Sequence, residues 1–567
     1  MFELSNKPQA PAIARHRITQ QFCKQADTKN SQYLHVQAFT NPAPSLNLEM
    51  LAHATTLQKA TAWEIVMKLP SLLNSLADHS AHFPDDEAIL TDKGNWSYKD
   101  LWSQVNRFES ALEAFSLPTE ATVAVVGLKT VNTLATLLAL GKQGHTPLVI
   151  APSLGEDVKP TMYHTAKVYC ELAAETDSVR LSVNRLPSET SADVAIPAAN
   201  PDDASALMLT TSGSTGIPKV VRLSDRGINA FLDWSTDYFQ LNRGRRVLSY
   251  APLNFDLSLL EVWAPLAKGA SVILAETNRA TQPGYLRALV RHQKPDLIQA
   301  VPMFYTLLCP SQGSDGEKAG WVRHVVFTGD TTHQGIRERA AWMFPRATFH
   351  NLYGCTETND TFVYSVDAPA IVLNEKLPLG KPIDQVAYRI VTEDGIELAG
   401  VGEGELHVST PFMAHGYTDP EVTAQAFYLA TDGHHVFYRT GDQVARNELG
   451  QLTLLGRKDF IVKVRGVRTN LHDIEQTLAK MDTVKHAVVI PVKDDVAGVL
   501  LHAVVEPTEG QKLDGIALRL FCARHLPQTA IPKAFFLHPA PLPTTSTGKP
   551  DRRAIAEVIQ PKRRKSA

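Results

Sequence analysis

Leu207-Met-Leu-Thr-Thr-Ser-Gly-Ser-Thr-Gly-Ile-Pro-Lys219 runs an apolar strand straight into a loop of hydroxyl residues and glycines. Gly213 and Gly216 let the backbone curl so that its N–H groups converge on an anion. Thr211, Ser212, Ser214 and Thr215 add hydroxyl donors, and Lys219 adds a positive charge. That set of donors suits a triphosphate. It is not a Walker A loop, because GxxxxGK[ST] is absent. A flexible Ser/Gly linker would not follow a hydrophobic strand or end in Pro-Lys before VVRLS.

Outward from this loop the chain alternates between strand and helix. ATVAVVG (121–127) and HTPLVIAP (145–152) read as buried strands, with LATLLALGKQG (134–144) as the helix between them. Strand, helix, strand with short loops predicts a right-handed parallel unit. The rhythm returns at 245–252, 258–269 and 270–276, and further strands are expected at 296–302, 323–330 and 347–354. From Gly380 to Val408 the pattern turns to short β segments, with 400–410 reading as hairpin-like. After Gly456 a smaller αβ module begins. It has a helix at 470–481, N-capped by Asn470, and another at 513–526. The expected architecture is α/β. A large domain (69–456) of αβ layers and a β-rich subdomain precedes a small α+β domain (457–567). Residues 1–68 are polar and weakly periodic, with one helix expected near 46–68, and form an extension to which no role is assigned.

The chain has 567 residues, 44% of them hydrophobic, which is ample for several cores. A formal net charge of -3 gives no basic field for nucleic acid. Its five cysteines are scattered without CxxC spacing, which argues against a zinc site or a disulfide framework. The N-terminus lacks the apolar core of a signal peptide, and no apolar stretch is long enough to span a bilayer. A cytoplasmic protein without membrane or nucleic-acid partners is expected. The basic run 562–565 reads as a solvated end.

The loop TTSGSTGIPKVV resembles the signature of the adenylate-forming superfamily, which includes acyl-CoA synthetases, luciferases and the adenylation domains of nonribosomal peptide synthetases. The resemblance extends from about Leu69 to Ala567 and recurs at several motifs in the family's order. It implies a large N-terminal domain hinged to a small C-terminal one, with ATP and Mg²⁺ as cofactors. Val220 stands where Gly is usual and Asp225 where His is common. Neither change removes a phosphate-contacting group.

Asn351-Leu-Tyr-Gly-Cys-Thr-Glu-Thr358 is similar to a second family motif. The resemblance implies that Tyr353 stacks on adenine, Thr356 bonds the α-phosphate, and Glu357 binds Mg²⁺. A hard cation of this kind prefers oxygen ligands. Tyr438-Arg-Thr-Gly-Asp442 matches the ribose motif, where the Asp442 carboxylate would accept from two hydroxyls. Gly456-Arg-Lys-Asp459 resembles the hinge, with Arg457 on the nucleotide and Asp459 as pivot. After rotation the strand near Gly466 would approach a thiol acceptor. Thr544-Thr-Ser-Thr-Gly-Lys549 resembles the closing loop. There Lys549 would stabilise charge as a carboxylate attacks the α-phosphorus.

Asn254-Phe-Asp256 looks like the amino-acid-activating branch, in which Asp256 pairs with the substrate ammonium group. The competing reading of Asp256 is a helix N-cap. By resemblance the pocket also takes in Leu257, Leu260, Met303, Val326, Thr328, Leu352, Asp360 and Thr361. Asp360 would be a second acid there, matching a second cationic group or a hydroxyl or amide; a small or medium apolar amino acid fits if Asp360 points away. The expected reaction is formation of an aminoacyl-AMP, then transfer to the phosphopantetheine thiol of a separate carrier protein. The alternatives are a CoA ligase for a non-amino acid and a catalytically silent homologue. Retention of the Ser/Gly loop with Glu357, Asp442 and Lys549 argues against the silent homologue.

Overall fold

A computed structural model of the protein describes residues 67–559, apart from 176–177, 179, 186–204, 212–217, 311–316, 333, 374–375, 458–460, 495–496, 509–512, 539–541 and 544–551. The expected helix near 46–68 therefore lies almost wholly outside the described residues.

Two large sheets dominate. The first has six strands in the order Leu181–Arg185, Val168–Ala174, Thr122–Val126, Thr146–Ile150, Ser205–Thr211 and Lys219–Ser224. The expected strands around 121–127 and 145–152 pair in parallel here. Continuous apolar runs of this kind suit a sheet covered on both faces. Helix Val131–Lys142 joins these two strands and is buried along almost its whole length. The second sheet has nine strands. Its central order is Thr348–Cys355, His324–Phe327, Leu297–Ala300, Arg246–Ser249 and Ser271–Leu274, all parallel. Asn359–Asp367 then folds back antiparallel on Thr348–Cys355.

Capping side chains fix where helices begin. Ser97 and Asp100 form a capping box at helix Tyr98–Glu113. Ser224 accepts from the Gly227 amide at helix Asp225–Tyr238. Asp225 accepts in turn from the Leu69 amide, tying the start of the described chain to this helix.

The expected helix at 258–269 is instead a π-helical turn, Leu259–Trp263, followed by Ala264–Ala267. Pro265 has no amide to bond back to residue 261, and the Ala264 amide bonds to Leu259 instead. The segment 400–410 is also corrected. Gly402–Ser409 is one continuous strand, pairing with Ala387–Val391 on one side and Val436–Arg446 on the other. Its Gly residues mark a close packing contact rather than a turn, since a Cβ on Gly404 would lie 2.6 Å from the Val391 carbonyl.

The smaller C-terminal unit starts with a hairpin, Ile461–Val464 and Val467–Asn470. A three-stranded sheet follows, Val484–Asp494, Gly498–Pro507 and Ala534–Leu537. Helices Leu471–Leu478 and Gly515–His525 pack on it, and Asn470 caps the first by accepting from the His472 amide. This unit rests on the large one. His525 Nδ1 lies 2.9 Å from Asp157, and Gly466 sits against Val301.

Candidate active site

The hairpin of the small unit closes over the C-terminal ends of the parallel strands. Between them lies a cavity of about 600 Å³. Thr211 and Pro218, on either side of the glycine loop, contribute to its wall. Ser212, Gly213, Ser214, Thr215 and Gly216 lie outside the described residues, as do Asp459, Lys549 and the side chain of Arg457. Lys219 stands with its Nζ 5.1 Å over the ring of Tyr417.

Glu357 is the electrostatic centre of the site. It is 2% exposed. Tyr417 donates to its Oε1 at 2.7 Å, and Arg468 Nη1 of the hairpin lies 3.2 Å from its Oε2. Burial would push the Glu357 carboxyl up. The Arg468 guanidinium and the Tyr417 hydroxyl outweigh burial and hold it below the usual carboxylate range. Glu357 is therefore an anion with both oxygens engaged.

Tyr353 donates to Asp442 Oδ2 at 2.5 Å, so the two residues assigned to nucleoside recognition meet across 89 residues of chain. Burial, with the Asp442 charge beside it, raises the Tyr353 hydroxyl well above its usual range and keeps it neutral. The bulge that aims this segment falls between Tyr353 and Gly354. Gly354 is required there, because a Cβ would come within 2.0 Å of the Asn359 carbonyl oxygen. Burial pushes the Cys355 thiol up to about 12, which makes it a packing group and not a nucleophile.

Asp256, Leu257, Leu260, Thr328 and Asp360 all line the cavity, together with Thr356. Thr356 offsets part of the effect of burial on the Asp256 carboxyl. Ser258, not Asp256, stands at the cap position of the following turn. Burial raises both Asp256 and Asp360. The Asp256 charge raises Asp360 further, to about 7. Four other expected pocket residues do not reach the wall. Val326 and Leu352 are packed into the main core, and Thr361 is buried with its hydroxyl on the Tyr353 carbonyl. Met303 belongs to helix Pro302–Leu308, one turn beyond the strand end, and is not part of the lining.

Sequence reasoning passed over Asn254, Gln299, Tyr417 and Arg468. Gln299 lies in strand Leu297–Ala300, lines the cavity, and donates to the Leu257 carbonyl at 3.2 Å. It stands four residues before Met303, where a strand signal existed but no charge drew attention. Arg468 lay in the stretch VRGVRTN, beside the Gly466 already marked for its approach to the site.

Two domains closing over the ends of parallel strands, with a Ser/Thr/Gly loop, a buried acid and a tyrosine–aspartate pair, define an adenylate-forming ligase. A family model for AMP-binding enzymes matches residues 76–418, and one for their C-terminal domain matches 473–549. The chain belongs to the AMP-binding enzyme family. It is similar to a D-alanine–D-alanyl carrier protein ligase of Bacillus licheniformis, 26% identical over 86% of this chain and 99% of that one. It is 30% identical to the phenyloxazoline synthase MbtB of Mycobacterium tuberculosis over 84% of this chain, but spans only 34% of that protein. A solved structure of PA1221, described as a nonribosomal peptide synthetase protein with adenylation and carrier domains, matches with a TM-score of 0.70 at 25% identity. The match covers 88% of this chain and 99% of that one. The Vibrio cholerae adenylation domain AlmE, solved with glycyl-adenosine-5'-phosphate, has the same fold at a TM-score of 0.71. It is 17% identical and covers 92% of this chain and all of that one. Among the described residues no helix is long and apolar enough to cross a membrane.

Proposed function

We propose that this enzyme activates an amino acid with ATP and passes it, as a thioester, to the phosphopantetheine arm of a separate carrier protein. The observation that carries the reading is that Asp256 and Thr356, the residue before Glu357, line the same cavity. An ammonium group on Asp256 would place the substrate carboxylate next to Thr356, where the α-phosphate is expected. The carboxylate oxygen attacks the α-phosphorus, and the α–β P–O bond breaks to release pyrophosphate. A carboxylate is already ionised at neutral pH, so this step needs no general base. In the second step the thiolate sulfur attacks the acyl carbon. The acyl C–O bond breaks, and AMP leaves with the bonding electrons.

Ser212 to Gly216 and Lys219 would hold the phosphates, Tyr353 and Asp442 the nucleoside, with Arg457 beside it. Lys549 would neutralise charge at phosphorus in the first step, with Asp459 as the pivot that exchanges its loop for the 461–470 hairpin. The mobile unit is proposed as 457–567, and the nucleotide-binding unit as 69–456. Among the described residues no three metal-ligating side chains cluster, so a cation would rely on Glu357 and on phosphate oxygens. Those residues fit Mg²⁺ once Arg468 leaves the Glu357 carboxylate. Bound there, Mg²⁺ would neutralise phosphate charge. The carrier-protein reading is supported by the D-alanine ligase, whose full length this chain nearly spans. Among the described residues Cys309, Cys355 and Cys522 are buried thiols outside any disulfide, which fits a cytoplasmic setting.

The test is amino-acid-dependent ATP–pyrophosphate exchange, run beside the corresponding acid lacking the amine. Exchange with the amino acid alone, lost in Asp256→Ala, is expected. Equal exchange with the desamino acid, unchanged by Asp256→Ala, would replace this reading with a CoA ligase of simple acids.

A further inference from the structure

The described part of the large unit lines the substrate pocket with two carboxylates and no cation. Asp256 and Asp360 line the same cavity close enough for the charge on one to act on the other. Asn254 lines it as well. It is 6% exposed, and its side-chain carbonyl oxygen has no hydrogen-bond partner. A buried acceptor left unmatched is costly and calls for a donor.

The lining cations are Lys463 and Arg468, and both belong to the hairpin of the small unit. Arg468 is directed to Glu357, although its charge also reaches Asp256. The described part of the large unit contributes no lysine, arginine or histidine to this cavity. One substrate ammonium can satisfy Asp256. It leaves Asp360 and the Asn254 carbonyl facing the same space. Leu257 and Leu260 supply an apolar wall along which a short methylene chain can lie.

We infer that the amino acid taken by this enzyme carries a second basic nitrogen on its side chain, with Asp360 as that nitrogen's partner. The inference rests on the proposed amino-acid activation and names its substrate class. Asp256 binds the α-ammonium and Asp360 the side-chain ammonium or guanidinium. An apolar amino acid in this pocket would leave Asp360 to be protonated or to stand unpaired against Asp256, and either state lowers affinity. Discrimination by a built polar partner exceeds what a hydrophobic wall can give, because the wrong substrate strands the buried group.

The experiment is ATP–pyrophosphate exchange by the full chain over a fixed panel. The basic set is 2,3-diaminopropionate, 2,4-diaminobutyrate, ornithine, lysine and arginine. The neutral set is alanine, 2-aminobutyrate, norvaline, leucine and glutamine. A basic member should give the highest kcat/KM, by at least about 30-fold over the best neutral member. Asp360→Asn should erase most of that ratio, mainly through a higher KM for the basic amino acid. If neutral amino acids match or exceed the basic ones in the unaltered enzyme, this inference fails and amino-acid activation stands. If no amino acid supports exchange, both fall. The panel on the unaltered enzyme decides the matter even if Asp360→Asn does not fold.

Discussion

Replacing Arg468 with Met should separate the two half-reactions. The Arg468 side chain is 15% exposed and that of Glu357 2%, so their contact at 3.2 Å is shielded from solvent. Removing one partner of such a buried pair costs about 3–5 kcal/mol. Glu357 would keep the Tyr417 hydroxyl, and Lys219 still acts on it, so the lower end applies. About 3 kcal/mol corresponds to roughly 150-fold, at 1.4 kcal/mol per factor of ten. The loss falls only on the arrangement in which the hairpin covers the site. The first step, proposed to use Lys549 in place of the hairpin, would not draw on this contact. ATP–pyrophosphate exchange should therefore stay within about 3-fold, while single-turnover transfer from the adenylate to a phosphopantetheine thiol falls by about 100-fold. Arg468→Lys should recover part of the transfer rate, because it restores a positive charge but not the planar guanidinium. An equal fall in both assays, or unchanged transfer, would refute a role for this contact in the closed arrangement.

Gly466 has a φ of +81°, and a Cβ there would lie 2.3 Å from Val301 Cγ1. Gly466→Ala should slow thiol transfer and spare exchange, and an equal loss of exchange would count against the docking seen here. Glu357→Gln removes the anion proposed to hold Mg²⁺. The Mg²⁺ concentration giving half-maximal exchange should rise by at least about 10-fold, and an unchanged value would move the metal elsewhere. Acid should destabilise the fold through His324 and His350, whose rings meet at 3.1 Å. Burial lowers His324 to about 4 and His350 to about 3, against about 6.5 in an unfolded chain. Below pH 6.5 the unfolded state binds protons that the folded state refuses. Stability is thus complete above that pH and falls toward pH 4, by up to ~1.4 kcal/mol per pH unit for each ring. Urea unfolding midpoints at pH 7 and pH 5 should show the drop, and His324→Gln should reduce it. Identical midpoints in the unaltered protein would contradict the assignment.

Much of this architecture is written in local pattern. The continuous apolar runs at 121–127 and 145–152 announce strands covered on both faces. Asn470 stands where a helix needs an acceptor for its first free amides, and the structure uses it so. What escaped depends on contacts distant in sequence. Gly402–Ser409 reads locally as a hairpin, and only its two neighbouring strands make it a single central one. The π-turn at Leu259–Trp263 follows from one missing amide at Pro265 inside an otherwise helical pattern. Gln299 sits in a short apolar strand with no charge or glycine to mark it, and only the folded sheet brings it to the cavity. Arg468 on a charged hairpin reads as a solvated residue. It is partly shielded because Glu357, 111 residues earlier, meets it across the two units.

The most direct measurement is mass-spectrometric detection of the intermediate. The purified chain would be mixed with ATP, Mg²⁺ and the amino acid it turns over best, with no thiol acceptor present. The account requires one equivalent of aminoacyl-AMP retained on the enzyme, with pyrophosphate released in equal amount. Release of ADP and phosphate instead, with no acyl-nucleotide formed, would contradict it.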